Sequence, residues 1–257
     1  MSEQKETLQY VWDVMYPTCN AAAEAASQLG NGAGLRSERW MERIKKLLLD
    51  YRAELKSGVA MPPRQTALPL ICALRNPQTI VDFGGSSGWC WDYLNSSLPT
   101  NSVTAYQIVE TAAVVDAMNA SCLQDAPVEY FVDAAKVSCC DLLYVNSVLQ
   151  YFPSNESLLA VIEKLKPSTI LLEDLVAIGK DDFFTVQQYF DSGLPYRFLG
   201  LTNLISQLHC AGYQEIVRYP YASPILGVIK PFDMSNFPPN RQLRYSLTML
   251  FEREKTD

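Results

Sequence analysis

The chain is short of histidine, of positive charge and of long apolar runs, and each shortage removes a class of function. Its 257 residues include a single histidine, His209, late in an expected helix and next to Cys210, which reads as structural. No grouping of Asp, Glu and His has the spacing of a zinc or magnesium centre, so a metal site is not expected. Lys and Arg total 21 against 28 Asp and Glu, a net charge of -7. Such a surface lacks a broad phosphate-neutralising face, which argues against nucleic acid as partner. No apolar run approaches the roughly 20 residues that span a bilayer, and the opening MSEQKETLQY has neither the basic start nor the apolar centre of a secretion signal. The seven cysteines are scattered, odd in number and without a C-x-x-C pair, which reads as free thiols in a reducing compartment. A cytoplasmic protein with no membrane partner is the expectation. No internal repeat or low-complexity tract is visible.

What is present is apolar content, 48% of the chain, enough for one large α/β core or a core with a small appended subdomain. Glu6 to Tyr16, Thr18 to Gln28 and Leu35 to Leu55 carry helical spacing, and Lys56 to Thr66, with Pro62-Pro63, reads as a linker. Residues 1–63 are therefore expected as a helical cap, either a lid or packing for the sheet, and 64–257 as the main domain. In that domain a helix at Ala67 to Arg75 is followed by strands at Thr79 to Phe83, Asn101 to Ile108, Val128 to Val132, Leu142 to Asn146 and Thr169 to Leu172. Helices separate them, at Trp89 to Leu94, Thr111 to Asn119 and Glu156 to Leu165. This alternation predicts a doubly wound, mostly parallel sheet. After a helix at Thr202 to Cys210 the pattern changes to two successive strands, Glu215 to Tyr219 and Tyr245 to Phe251. These must pair antiparallel or sit apart.

The stretch Thr79 to Trp91, TIVDFGGSSGWCW, organises the rest. A short β-branched and aromatic run meets a turn of small residues, Gly84-Gly85-Ser86-Ser87-Gly88, and a helix follows. Glycines there permit positive φ and a close ligand approach, and the N–H groups opening the helix face that ligand. Asp82 would repel a dinucleotide pyrophosphate, and the glycine spacing departs from G-x-G-x-x-G, so a nicotinamide cofactor is disfavoured. S-adenosylmethionine (SAM) suits the site better, because its ammonium can meet a carboxylate and its carboxylate can meet backbone N–H groups. Glu110, ending the second strand 28 residues after Asp82, is placed to accept ribose hydroxyls. The alternative is an acid favoured by the helix dipole.

These residues resemble motif I of the Rossmann-like, class I SAM-dependent methyltransferases, D-x-G-x-G-x-G, with Ser86 where the middle glycine is usual. Taken together, VDFGGSSG, IVE, FVDA, VNSVLQYF and HCAGY resemble a methyltransferase family found near bacterial polysaccharide and secondary-metabolite genes. The resemblance spans roughly Thr79 to Glu252. It implies the class I fold, a seven-stranded sheet with an antiparallel C-terminal hairpin, SAM as cofactor and methyl transfer as reaction. It further implies that Asp82, Gly84, Gly85, Ser86, Gly88 and Glu110 hold the cofactor, that Asp133 and Ala134 reach the adenine, and that Asn146 and Ser147 border the methionine end. Gln150 and Tyr151 would face the transferred methyl or the acceptor. A solvated loop acid at Asp133 and a helix cap at Asn146 or Ser147 stay open.

The acceptor side is expected in insertions at 175–200 and 222–242. Glu173 and Asp174, at the carboxyl end of the fifth strand, favour a cationic or polyhydroxylated acceptor, or are a solvated pair. With Tyr151 they are the candidates for a base or orienter. Gln187, Tyr196 and Arg197 add polar reach, and Arg197 suits a substrate carboxylate. A small polar metabolite is expected, with nitrogen slightly preferred over oxygen. O-methylation of a sugar or carboxylate and a non-catalytic SAM-binding or assembly protein are the alternatives. A homodimer is left open.

Overall fold

The computed structural model describes residues 11–29, 35, 37–57, 66–98, 103–121, 123, 127–189, 192–222, 224–225 and 228–254. In chain order these carry helices α1 (Cys19–Ser27), α2 (Glu38–Ser57) and α3 (Leu68–Arg75), strand β1 (Thr79–Phe83), α4 (Trp89–Ser97), β2 (Ala105–Val109), α5 (Ala112–Ser121), β3 (Val128–Phe131), β4 (Leu142–Asn146) and α6 (Glu156–Leu165). There follow β5 (Thr169–Leu175), β6 (Phe183–Tyr189), β7 (Ser192–Phe198), α7 (Leu201–Cys210), β8 (Tyr213–Tyr221), β9 (Pro224–Ile225), β10 (Val228–Ile229) and β11 (Ser246–Arg253).

The central sheet has seven strands in the order β3-β2-β1-β4-β5-β11-β8. The first five run parallel, and β11 is antiparallel to both β5 and β8. This is the class I methyltransferase fold with the antiparallel ending that the strand pattern predicts. Parallel strands covered on both faces are apolar on both, and each residue parity serves one core. Val81, Val109, Leu143, Val145, Ile170 and Leu172 pack with Leu158 and Ile162 of α6 and Leu204 and Leu208 of α7. Ile80, Tyr106, Ile108, Leu142, Tyr144 and Leu171 pack with Leu68 and Ile71 of α3 and Trp91 and Leu94 of α4. Each fully buried aliphatic side chain stabilises the fold by about 1.5–3 kcal/mol.

Several expected boundaries move. The second strand begins at Ala105, and Asn101 and Ser102 lie outside the described residues. The fifth strand runs three residues further, to Leu175, because β11 pairs along it as far as the Leu247–Leu175 register. The linker shrinks, since α2 continues through Ser57, and residues 58–65, including Pro62-Pro63, lie outside the described residues. The insertion 175–200 is a hairpin of β6 and β7, in register from Phe183–Phe198 to Tyr189–Ser192.

The expected helix at Glu6 to Tyr16 is corrected: Glu6 to Tyr10 lie outside the described residues, and 11–16 is extended. The amides of Asp13 and Tyr16 donate to the carbonyls of Val186 and Phe184, and Gln188 N–H donates to Val11 C=O. The segment thus adds a third strand's worth of hydrogen bonds to β6, and satisfying that edge outweighs the helical spacing of Leu8, Val11, Trp12 and Met15. α1 lies on the same hairpin through Ala22, Ala26 and Val186. A Cβ at Gly193 of β7 would stand 2.9 Å from the Ala26 carbonyl oxygen, so this close approach requires glycine. By contrast α2 packs Ile44 and Leu48 on Val114 and Met118 of α5. Arg52 fixes it there, pairing with Asp92 at 2.9 Å and donating to the Leu123 carbonyl at 2.7 Å. Within 222–242, Phe232, Met234 and Phe237 turn inward to the α6–α7 core.

Candidate functional site

The turn after β1 takes the conformation its residues allow. Gly84, Ser86 and Gly88 have φ of +78°, +53° and +77°. Ser86 therefore adopts the left-handed backbone that a glycine would have reached more easily. A Cβ at Gly84 would lie 2.4 Å from Val148 Cγ2, and one at Gly88 2.9 Å from the Tyr130 hydroxyl. Gly84 N–H donates to Val109 C=O at 2.9 Å, which ties the turn to the end of β2. Next along that edge, the Glu110 carboxylate accepts from Thr111 N–H at 2.6 Å, and the Ser86 backbone N–H is near enough to favour its charged form. Burial raises its pKa, and these donors oppose the rise.

Asp82 does not face outward. Its side chain is 1% exposed, accepts from the Tyr106 hydroxyl at 2.6 Å, and lies so close under Gly85 that a Cβ there would sit 2.4 Å from Oδ2. Burial pushes its pKa up to about 7, against the Tyr106 hydrogen bond and with the help of Glu110. The carboxylate expected to meet a ligand ammonium thus supports the turn from beneath.

Asp133 is exposed and caps the short turn at Ala134–Lys136 by accepting from Ala135 N–H at 2.8 Å, with Ala134 as that turn's first residue. Asn146 donates from Nδ2 to the Tyr144 hydroxyl at 2.8 Å. Ser147 has φ +54°, and its Oγ accepts from Gln150 Nε2 at 3.1 Å. Neither Asn146 nor Ser147 is a helix cap; the short turn that follows starts at Leu149 and has no side-chain cap.

The structure brings Tyr151, Asp174, Gln187 and Tyr196 to one place. Tyr151 donates to Gln187 Oε1 at 3.0 Å and stands edge-on to Tyr196, with ring centroids 5.7 Å apart. Tyr196 has its phenol pKa raised by burial, with Tyr151 and Asp174 adding to the rise. Asp174 is half-buried, has φ +49° and accepts from Ser246 Oγ at 2.6 Å.

Three other candidates point inward. Gln150 is buried. Glu173, 2% exposed, accepts from Ala67 N–H at 2.6 Å, from the Tyr144 hydroxyl at 2.8 Å and from the Thr66 hydroxyl; it and Asp174 are therefore not a solvated pair. Arg197 is 1% exposed. It pairs with Asp182 at 3.0 Å and donates to Asn155 Oδ1 at 2.8 Å and the Leu149 carbonyl at 3.3 Å. A substrate carboxylate would have to displace these partners.

Residues not anticipated from the sequence complete the site. Tyr106 and Tyr144 are the phenols beneath it, and a hydroxyl inside each apolar strand, AYQIV and LLYVN, was the available signal. Trp12 packs against Tyr196, Phe198 and Phe232 at centroid distances of 5.7, 5.4 and 5.2 Å, and nothing in its neighbourhood of sequence announces this. His209 is exposed on α7. Among the described residues no group of three His, Cys, Asp or Glu side chains is placed to hold a metal, and no helix is long and apolar enough to cross a membrane.

No family pattern matches the chain, and no curated protein sequence does. Solved structures do resemble it. Human N-acetylserotonin methyltransferase in complex with SAM matches with a TM-score of 0.51 and 14% identity, over 93% of this chain and 67% of that one. A 1,6-didemethyltoxoflavin-N1-methyltransferase from Burkholderia thailandensis has a TM-score of 0.49 and 15% identity, over 83% and 90%. A SAM-dependent methyltransferase from Mesorhizobium loti has 0.46 and 13%, over 72% and 98%. At such identities the likeness to the human enzyme is one of fold, and it agrees with the strand order above.

Proposed function

We propose that this chain is a SAM-dependent methyltransferase acting on a small polar metabolite. The observation that carries the reading is the left-handed turn Gly84 to Gly88, tied by the Gly84 N–H to the end of β2, where the Glu110 carboxylate follows. A side chain at Gly84 would strike Val148 and one at Gly88 would strike Ile108 and Tyr130, so the turn keeps this shape only with glycine there. The turn would hold the methionine end of SAM, bordered by Asn146 and Ser147, with Glu110 on the ribose and Asp133 and Ala134 on the adenine. SAM supplies an activated methyl on a sulfonium, so the protein's task is alignment and exclusion of water. Tyr151, Gln187 and Tyr196 form the acceptor wall. Asp174 is the carboxylate there suited to orient a protonated amine and to take its proton, which supports nitrogen over oxygen as the methylated atom. The net charge of -7 accords with a small-molecule partner in preference to nucleic acid.

The test is incubation with methyl-labelled SAM and panels of amines, guanidines, sugars and carboxylic acids. Label on an amine or guanidine is the expected result. Label on a sugar or carboxylate would move the reading to O-methylation, and SAM binding without transfer to any panel would favour a non-catalytic role.

A further inference from the structure

Helix α3 begins without a side-chain cap of its own: Ala67 precedes it, and Pro69 stands in its first turn. The acceptor for the Ala67 N–H comes from 106 residues away, as Glu173 Oε1. Glu173 Oε2 takes the hydroxyl protons of Tyr144 and Thr66, and Thr66 Oγ1 accepts from Leu68 N–H at 3.1 Å. One buried carboxylate therefore fastens the entrance of α3 to the ends of β4 and β5.

The direction of these bonds has a chemical result. A carboxylate accepts only, so the Tyr144 and Thr66 hydroxyls both donate to it, and Tyr144 keeps only lone pairs for its other neighbours, Thr66 Oγ1 at 3.3 Å and Asn146. Thr66 has already given its hydrogen to Glu173, and Asn146, paired in register with Glu173, must present Nδ2 to Tyr144. Among the described residues Oδ1 of Asn146 has no hydrogen-bond partner. Asp82 is meanwhile turned beneath Gly85. An acceptor is thus left at the end of β4, next to the turn.

We propose that Glu173 is a positioning residue that, through Tyr144, turns the Asn146 amide so that its oxygen receives the ammonium of the bound cofactor. This rests on the SAM reading. Replacing Glu173 by Gln puts an N–H₂ group against Tyr144, reverses the donor chain and turns Asn146 to present Nδ2 to the ammonium. An aspartate at 146 can accept from both sides and repairs the reversal.

The experiment is calorimetric titration of S-adenosylhomocysteine, and of the same compound lacking its α-amino group, into wild type, Glu173→Gln and the double variant Glu173→Gln/Asn146→Asp. Glu173→Gln should weaken the amino-bearing ligand roughly tenfold or more and leave the deaminated one within about twofold, with recovery in the double variant. Equal loss for both ligands, or no loss, overturns the proposal. A ligand-free arm separates it from the reading it rests on: NMR exchange of the Asn146 side-chain amide should be slowed in wild type and quickened in Tyr144→Phe. Unchanged exchange overturns the orienting role whatever binds. Wild type that binds neither ligand overturns the cofactor reading and the ammonium role with it.

Discussion

The two halves of the site are held by different physics. Under the β1 to β4 ends the groups are polar and short-range: Asp82 is fixed by Tyr106 on the next strand and roofed by Gly85, and Glu110 by its neighbour Thr111. Beyond β5 the groups are aromatic and come from distant chain. Trp12 meets Tyr196, Phe198 and Phe232, while Asn236 donates to the Trp12 carbonyl across 224 residues of sequence. A turn with positive φ and a buried carboxylate tolerates few substitutions, which suits an invariant ligand. An aromatic cluster can be repacked more freely, which suits an acceptor that differs between enzymes.

The largest effect should come from the aromatic half. Trp12→Ala removes the side chain on which the first strand-like segment, the hairpin and 231–244 converge, and should cost about 3–5 kcal/mol in denaturant unfolding. Binding of S-adenosylhomocysteine should stay within about threefold of wild type; loss of binding would mean the halves are not separable. Gly85→Ala reverses the pattern, because its Cβ would strike the Asp82 carboxylate. It should cost about 1–3 kcal/mol and weaken the same ligand at least about tenfold in calorimetry.

Asp82→Asn sharpens the polar half through pH. The Asp82 pKa is raised from 3.8 to about 7 in the folded protein, so the folded state holds a proton that the unfolded chain releases. Its contribution is present below the unfolded value and is lost as pH rises through about 7, by about 1.4 kcal/mol per unit of difference. The wild type should therefore fall in stability relative to Asp82→Asn between roughly pH 4 and 7 and run parallel above. Parallel curves throughout would place the carboxylate in water. The smallest effect is expected from Lys46→Ala, which breaks an exposed pair with Asp50 on α2 and should shift stability by no more than about 0.5 kcal/mol.

The same contrast governs how much was legible in the sequence. Gly84, Gly88 and the strand before them could be read because a left-handed turn constrains residue type locally, and Glu110 because strand ends count forward from it. The direction of Asp82 could not, since it depends on Tyr106 and on Gly85 lying above. Glu173 and Arg197 read as ligand-facing because an ionised side chain in a strand suggests function. Their partners, Ala67 and Thr66 for one and Asp182 and Asn155 for the other, are set by tertiary approach. Gly193 and Pro195 disguised β7, because both residues are poor strand formers, and the pairing of 11–16 with β6 carries no local signal.

The central claim is that the turn from Gly84 to Gly88 holds SAM. Calorimetric titration of the wild-type protein with SAM and S-adenosylhomocysteine, with NADH as control, tests it most directly. The account predicts micromolar binding of the first two and none of the third. Absence of binding by either adenosyl compound, or binding of NADH in their place, would contradict it.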